Sequence, residues 1–248
     1  MNWRIAIPSY KRATRLRDST LALLYRHHVP GERIDVFVAD VSEQAVYAST
    51  LDPMTYGRLI VAVPGMGAVR NFMTDFYEEG EPVLFIDDDI TDFLTKDEAP
   101  LDFCAFVEKG FTECAAAGLR LWGIYPVANR YFMRDRSTDG LTYIVGCFYG
   151  VFNNRSLHVT LDDKEDFERT ILYYDADGGV LRYGGVAPIT RYYKTPGGMM
   201  ETRSIQRILA SAQTLADRYP QYCRLNLTKK SGHAEVRLLR LKRRPTTE

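Results

Sequence analysis

The sequence has few cysteines and histidines and lacks a long apolar run. Its four cysteines show no C-x-x-C spacing, which argues against a zinc ribbon or a disulfide framework and favours buried thiols in a reducing compartment. No apolar stretch reaches the length of a membrane-spanning helix. The first residues lead into a strand pattern without the form of a secretion signal. We therefore expect a cytoplasmic protein with no membrane anchor, and nothing indicates an obligate protein partner.

The chain also lacks a net charge, because 32 basic and 32 acidic residues cancel. The two signs are nevertheless separated along the sequence. Residues 75–102 carry eleven acids against Lys96, and residues 221–244 carry eight bases against Glu235. The acidic segment suits a cation, and the basic segment suits phosphates or nucleic acid unless it is an ordinary solvated surface.

Strand and helix patterns alternate over most of the 248 residues. Short apolar strands are predicted at 4–10, 34–40, 58–63 and 83–86, with helices at 13–28 and 68–79 between them. This alternation predicts a parallel α/β sheet with right-handed connections. A second series follows, in which we predict a helix at 100–118, strands at 119–126, 141–152 and 180–183, and a helix at 201–218.

Three consecutive carboxylates, Asp87, Asp88 and Asp89, follow the apolar residues Val83 to Ile86. Four apolar residues in a row indicate a central strand buried on both faces. Adjacent negative charges at the end of such a strand repel each other unless a positive group neutralises them. A hard divalent cation with oxygen ligands does so, and ligands of open α/β sheets bind at this edge. The pattern favours a Mg²⁺ or Mn²⁺ site that also holds a phosphorylated substrate; the alternative is a solvated acidic turn.

Five segments in this order resemble glycosyltransferases of the GT-A fold. The first, Ile7-Pro-Ser-Tyr-Lys-Arg12, resembles the opening strand and loop that wrap the nucleotide base. Asp40, at the end of the second strand, stands where the family often has an acid that recognises uracil or ribose. The other three segments are the glycine-containing Pro64-Gly-Met-Gly-Ala-Val-Arg-Asn71, the D-x-D-like Phe85-Ile-Asp-Asp-Asp89 and the acceptor-side Lys164-Glu-Asp-Phe-Glu168.

The resemblance covers most of the chain and implies a fold and an organisation. The implied fold is α/β, of the Rossmann-like GT-A type, a single domain over residues 1–248 with a mostly parallel central sheet flanked by helices. Residues 1–98 would form the half that binds the nucleotide sugar, and residues 99–248 the half that binds the acceptor. The implied donor is a UDP-sugar, held together with Mn²⁺ or Mg²⁺.

The resemblance also implies roles on the donor side. Asp89 would bind the metal, and Asp87 or Asp88 would contact the ribose and a metal-bound water. Arg70 would contact the diphosphate or the base, although it can equally form a surface ion pair with Asp75 or Glu79. The remaining expected donor contacts are Pro8, Tyr10, Arg12 and Asp40. His233 is the one histidine late enough in the sequence to add a metal ligand, and a structural or solvated histidine is the alternative.

The acceptor is an alcohol, so a base must remove its proton during attack on the sugar. Asp166 is the expected base, with Glu165 and Asp163 as alternatives; the five acids between Asp162 and Glu168 can also be a solvated helix start. Attack opposite the leaving group would invert the anomeric carbon, and this stereochemistry comes with the resemblance alone.

A narrower resemblance concerns the acceptor. Gly197-Gly-Met199 and the closing Lys229-Lys-Ser-Gly-His-Ala-Glu-Val-Arg-Leu238 are similar to bacteriophage TET-associated glycosyltransferases, which are associated with 5-hydroxymethylcytosine in phage DNA. This implies DNA as the partner, with Lys229, Lys230 and Arg243 among the phosphate contacts. Three alternatives remain: a transferase acting on a glycan or small molecule, a nucleotidyltransferase, and a non-catalytic DNA-binding domain. The glycine-free loop Pro8 to Arg12 argues against the second.

Overall fold

The structure is a computed structural model that describes residues 1–190, 204–227 and 235–245. Within them the strands are β1 (Arg4–Pro8), β2 (Ile34–Val38), β3 (Arg58–Val61), β4 (Pro82–Ile86), β5 (Ile90–Thr95), β6 (Leu121–Ile124), β7 (Ser137–Thr138), β8 (Phe148–Phe152), β9 (Leu181–Tyr183), β10 (Val186–Thr190), β11 (Cys223–Asn226) and β12 (Glu235–Leu238). The α-helices are α1 (Ala13–Leu16), α2 (Ala22–Arg26), α3 (Val41–Thr50), α4 (Met66–Phe76), α5 (Phe103–Ala116), α6 (Glu165–Asp177) and α7 (Ile205–Arg218). A π-helical turn, Arg17–Leu21, joins α1 to α2, and 3-10 turns lie at Gly31–Arg33 and Pro53–Thr55.

Eight strands form the central sheet in the order β3-β2-β1-β4-β8-β6-β9-β7. The pairs β3-β2, β2-β1, β1-β4 and β6-β9 are parallel. β8 is antiparallel to both of its neighbours, so β4 and β6 run in the same direction. The carboxyl ends of β1 to β4, β6 and β9 therefore all lie at one edge of the sheet. We call it the carboxyl edge, and the opposite one the amino edge.

Helices cover both faces of the sheet, and each face carries its own apolar cluster. Trp122 and Phe148 belong to the cluster on the face of α5. Phe85 and Tyr149 belong to the cluster on the other face, together with residues of α4, α6 and α7. The alternation within each strand sends neighbouring side chains to opposite faces, which both have to be apolar because helices bury them.

The structure confirms the predicted α/β class and the central position of the strand before the three aspartates, since β4 lies between β1 and β8. The predicted helices 13–28, 68–79 and 100–118 are present as α1–α2, α4 and α5. The predicted strand at 141–152 is wrong in its first half, because only β8 is regular. Its two glycines do mark close approaches, but to protein side chains: a Cβ would lie 2.1 Å from Trp122 Nε1 at Gly150 and 2.9 Å from Glu165 Oε1 at Gly146.

Two antiparallel pairs complete the described fold. β5 pairs with β10 directly after the aspartates, and β11 pairs with β12 against α7. Neither β5 nor β10 is predicted from the sequence.

None of the helices that the structure describes is both long and apolar enough to cross a membrane.

Candidate active site

The turn formed by Asp87, Asp88 and Asp89 after β4, which we call the aspartate turn, is hydrogen-bonded to a buried threonine. Thr20 Oγ1 donates a 2.6 Å hydrogen bond to the Asp87 carbonyl and accepts one of 3.1 Å from the Ile90 amide. Thr20 lies in the π-helical turn between α1 and α2, and such turns occur often at functional sites. The role of Thr20 is not evident from the sequence.

Asp88 is the last acceptor in a chain of hydrogen bonds that begins at Arg12, in the loop after β1. The Arg12 amide donates to Tyr47 Oη at 3.0 Å, Tyr47 Oη lies 2.7 Å from Ser9 Oγ, and Ser9 Oγ donates to Asp88 at 2.6 Å. Because Ser9 donates its hydroxyl proton to Asp88, Tyr47 is the donor in its hydrogen bond with Ser9. Burial raises the pKa of Tyr47 to about 12. Asp88 is 5% exposed, and burial raises its pKa to about 7 although Ser9 and Arg12 oppose the shift. Ser9 and Tyr47 are contacts that sequence analysis missed.

Asp89 lies beside Asp88 and shares the same cation. The Arg12 guanidinium is 3.4 Å from the Asp88 carboxylate and 3.8 Å from that of Asp89. Burial raises the pKa of Asp89, and the charge of Asp87 adds to the shift, whereas Arg12 and Arg15 oppose it. The buried Nε and Nη2 of Arg15 make no hydrogen bond within the described residues. The two buried carboxylates thus share the guanidinium of Arg12, which lies closer to Asp88 than to Asp89.

Asp87 has a partner of its own, because Arg70 Nη2 lies 2.6 Å from its carboxylate and 3.0 Å from the Gly146 carbonyl. Arg70 is only 3% exposed, so the predicted alternative of a surface ion pair with Asp75 or Glu79 is wrong. Arg70 Nε also lies 3.8 Å from Glu165, which binds Arg169 at 2.7 Å. This network connects the aspartate turn to the start of α6.

The three candidate bases at α6 have different surroundings. Asp163 is buried and pairs with Arg207 at 2.8 Å, and Glu165 is buried between Arg70 and Arg169. Asp166 is partly exposed, accepts from the Phe167 amide at 2.9 Å and from the hydroxyl of Tyr143, and makes no ion pair within the described residues.

Asp166 lies near the aspartate turn. Gly146, whose carbonyl binds Arg70, is so close to α6 that a Cβ there would lie 3.2 Å from Asp166 Cβ. The structure therefore brings Asp166 and Asp87 to the same edge of the sheet from distant parts of the chain.

The other predicted donor contacts surround the same edge. Pro8 ends β1, and Tyr10 is partly exposed with the Lys11 ammonium 5.0 Å from its ring centroid. Asp40 follows β2, where its carboxylate accepts from the Glu43 amide and so caps α3. The hydrogen bonds from Ser42 and Glu43 lower the pKa of Asp40. An exposed cap can still meet a ribose hydroxyl, so this role stays a prediction.

The predicted contacts near the chain end are placed only in part. His233, Lys229 and Lys230, with the glycine-rich segment Gly197-Gly-Met199, lie outside the described residues. Arg243 is described: its guanidinium donates to the Ala117 carbonyl and lies 3.6 Å from Asp139. Ala117 precedes β6, so Arg243 lies at the amino edge, across the sheet from Asp87.

The donor set fits a divalent metal that takes most of its ligands from elsewhere. Within 1–190, 204–227 and 235–245, no three His, Cys, Asp or Glu side chains are grouped to hold a metal ion by themselves. Mg²⁺ and Mn²⁺ sites that carry a phosphorylated substrate need only one or two carboxylates, since phosphate and water oxygens complete the shell. Asp89 and Asp88 are buried and share one guanidinium, so a cation would reduce their repulsion.

Comparison with known proteins supports the fold but no closer relationship. No protein-family model matches this sequence, and no curated protein matches it. A solved structure of mannosyl-3-phosphoglycerate synthase from Rubrobacter xylanophilus is 14% identical, with a TM-score of 0.53 over 98% of this chain and 87% of that one. Glucosyl-3-phosphoglycerate synthase from Mycobacterium tuberculosis, in complex with Mn²⁺, UDP-glucose and phosphoglyceric acid, is 13% identical, with a TM-score of 0.50 over 97% and 87%.

A third similar structure is mannosyltransferase PcManGT from Pyrobaculum calidifontis, in complex with GDP-Man and Mn²⁺. It is 14% identical with a TM-score of 0.50, and the match covers 89% of this chain but only 63% of that enzyme. Identities this low establish a common fold and nothing about substrates. The fold is that of the GT-A nucleotide-diphospho-sugar transferases, as the sequence resemblance implied.

Proposed function

We propose that this protein is a metal-dependent glycosyltransferase that moves a sugar from a nucleoside diphosphate, UDP, to a hydroxyl acceptor. One observation carries the proposal. On a GT-A sheet, the aspartate turn after β4, the loop Pro8 to Arg12 and the partly exposed carboxylate of Asp166 lie at the same carboxyl edge. Residues 1–98 supply the donor side of this site, and residues 99–248 supply the acceptor side.

In this proposal Asp166 is the general base. The acceptor oxygen attacks the anomeric carbon and its proton passes to the Asp166 carboxylate, while the bond from that carbon to the phosphate oxygen breaks and its electron pair leaves with UDP. Tyr143 orients the base through its hydroxyl. Glu165 is a positioning residue, because its carboxylate is bound between Arg70 and Arg169 and so fixes the start of α6 against the aspartate turn.

The donor side requires positive charge near the leaving diphosphate. Asp89, with Asp88 beside it, would hold the divalent metal, which when bound neutralises the charge that develops on the diphosphate. Arg12 and Arg15 face the same turn and supply further positive charge. Asp40 and Tyr10 are the proposed contacts to the nucleoside, and His233 is the proposed additional metal ligand.

For the acceptor we propose 5-hydroxymethylcytosine in DNA, which rests on the sequence resemblance of the segments at 197–199 and 229–238. Lys229 and Lys230 are the proposed phosphate contacts. Arg243 supports the proposal least, since its guanidinium is engaged by Ala117 and Asp139 at the amino edge. A transferase with a different acceptor uses the same donor site, so the two versions are separated by the acceptor alone.

The test is donor turnover with Mn²⁺, UDP-glucose or UDP-N-acetylglucosamine, and DNA that contains either cytosine or 5-hydroxymethylcytosine. The DNA is digested, its nucleosides are analysed by mass spectrometry, and released UDP is measured in parallel. We expect a sugar adduct on the hydroxymethylated DNA alone, lost in Asp89→Asn and retained in Asp92→Asn, a matched control because Asp92 is an exposed acid of the same segment. UDP release without an adduct would contradict DNA as the acceptor. If neither an adduct nor UDP formed with a wider panel of donors, the proposed transferase activity itself would be wrong.

A further inference from the structure

A partly buried arginine on the acceptor side of the sheet has no acidic partner among the described residues. Arg182 lies in β9, and no carboxylate comes within ion-pair distance of it in the described part of the chain. Its Nη1 donates 3.2 Å to the Tyr143 carbonyl, and its guanidinium lies 5.5 Å from the centroid of the Tyr125 ring. Its Nε is buried without any hydrogen-bond partner among the described residues. Burial lowers the pKa of Arg182, as expected for a cation that no anion neutralises.

A second unsatisfied polar group lies directly beside it. Thr138 in β7 is the register partner of Arg182, so both side chains project from the same face of the sheet. The hydroxyl of Thr138 is buried and also lacks a hydrogen-bond partner among the described residues. Each unsatisfied buried group costs free energy that a partner would recover. Two adjacent ones, both able to donate, indicate a missing acceptor of hydrogen bonds.

The position of this pair relates it to the proposed base. Arg182 is in register with Gly123, which is in register with Tyr149, so Arg182 lies on the face that α6 covers. Tyr143 connects the two groups: its carbonyl accepts from Arg182, and its hydroxyl donates to Asp166. One residue therefore separates the unpaired guanidinium from the carboxylate that would activate the acceptor.

We propose that Arg182 and Thr138 form an oxyanion subsite for the acceptor, so that the acceptor carries a phosphate group near the hydroxyl that receives the sugar. A guanidinium donates two parallel hydrogen bonds to a phosphate, and a partly buried one does so with less competition from water than an exposed one. The anion would pair the Arg182 charge and bond to Thr138, and it would place the acceptor hydroxyl toward Asp166. This inference rests on the proposed function for its meaning, but the subsite itself can be measured without any transfer reaction.

The phosphate can belong to a small phosphorylated acceptor, as a monoester, or to a nucleic-acid backbone, as a diester. Methyl phosphate and dimethyl phosphate present the two forms without any other recognisable feature. The dianionic monoester is favoured if the acceptor is a small molecule, and the diester if it is DNA. Equal binding of the two would assign the subsite to phosphate in general.

The experiment is calorimetric titration of methyl phosphate and dimethyl phosphate into the protein saturated with UDP and Mg²⁺, so that the donor side is already occupied. UDP binding is titrated first and separately. We expect one phosphate site in the wild type, at least a tenfold loss of affinity in Arg182→Met and a smaller loss in Thr138→Val. Arg182→Lys should recover part of the affinity, since it restores the charge without the planar fork.

The matched control is Arg136→Ala, which removes an exposed arginine two residues from Thr138 and should bind phosphate as the wild type does. Unchanged phosphate affinity in Arg182→Met, or no phosphate binding by the folded wild type, would overturn the subsite. Thr138→Val still tests the proposal if Arg182→Met fails to fold. Absence of UDP binding would count against the proposed function alone, because the phosphate titration can then be repeated without UDP.

Discussion

Two buried carboxylate sites, one at each edge of the sheet, differ in how closely cations approach them. At the amino edge, Asp35 is fully buried, and its carboxylate accepts from Arg58 at 2.6 and 2.7 Å, from Arg4, and from the Tyr77 hydroxyl at 2.8 Å. At the carboxyl edge, Asp88 and Asp89 share one guanidinium at 3.4 and 3.8 Å. Asp35 is thus paired with two guanidinium groups of the fold, whereas Asp88 and Asp89 have one guanidinium between them at longer distances, and we propose that a divalent cation binds there.

The arginines show the same contrast. Arg120, at the amino edge, donates to both oxygens of the buried Asp177 carboxylate, with the shortest bond at 2.6 Å. Arg182 has a backbone carbonyl and a tyrosine ring but no carboxylate within the described residues. Completed ion pairs stabilise the fold, and we propose that ligands neutralise the groups whose pairing is incomplete. Four predictions test this difference.

The largest effect is expected for Asp89→Asn. The substitution removes the charge that would hold the metal, and it should lower the transfer rate by on the order of 1000-fold, the scale of losing a group that stabilises transition-state charge. The free energy of unfolding should stay the same or rise, because a poorly neutralised buried charge disappears. Transfer kinetics and urea denaturation measure the two quantities. A destabilised variant with a normal rate would show that Asp89 belongs to the fold and not to the site.

Asp166→Asn is expected to come next. The amide cannot accept the acceptor proton, so the rate should fall by about 100-fold or more while donor affinity is unchanged. Single-turnover rates together with UDP titration separate these effects. Asp162→Asn is the neighbouring control, since Asp162 binds the Gly67 amide and Arg207 at α4 and α7. If Asp166→Asn retained full turnover, the base would have to be sought elsewhere.

Asp35→Ala should act on stability instead. It removes a fully buried carboxylate and leaves Arg4, Arg58 and the Tyr77 hydroxyl without their shared partner. We expect the free energy of unfolding to fall by about 3 kcal/mol, with the rate per folded molecule unchanged. Urea denaturation followed by tryptophan fluorescence measures the loss. A variant as stable as the wild type but slower in transfer would reverse the roles assigned to the two edges.

The smallest expected effect is a difference in stability between substitutions of Arg120 and Arg182. Arg120→Met leaves Asp177 buried without its guanidinium and should lower the free energy of unfolding by about 2 kcal/mol. Arg182→Met removes a cation that burial disfavours, so its free energy of unfolding should remain within about 1 kcal/mol of the wild type or increase. Parallel thermal and urea melts compare the variants. Equal losses in the free energy of unfolding of the two variants would show that Arg182 stabilises the fold through its own contacts, as Arg120 does.

Much of the fold was predictable because its signals are local. Val83 to Ile86 are apolar without interruption, as a strand covered on both faces requires, and they became β4. The helices at α4 and α5 follow from their apolar spacing. The strand predicted through Leu141 failed because β-favouring residues adopt a strand only where a neighbour pairs with them. The β5–β10 pair was missed for the same reason, since its partners are about ninety residues apart.

The candidate site divides in the same way. The sequence alone located the three aspartates, the first loop and the acids before α6, because clustered carboxylates are visible without a structure. It could not distinguish among those acids: Asp163 and Glu165 meet arginines, whereas Asp166 meets a tyrosine hydroxyl. It also placed Arg70 only as a choice between a ligand contact and a surface pair, and the structure buries it against Asp87.

The sequence alone therefore predicts most of the strands and helices and the chemical types gathered at the carboxyl ends of the strands. Which charges are neutralised depends on the assembled fold, since Asp35 with Arg58 and Asp87 with Arg70 are pairs formed between separate elements. The surroundings of Arg182 likewise depend on the pairing of β9 with β6 and β7, which the sequence does not reveal. The physical reason is that hydrophobic periodicity is a property of neighbouring residues, whereas the state of a charge depends on everything within a few ångströms of it.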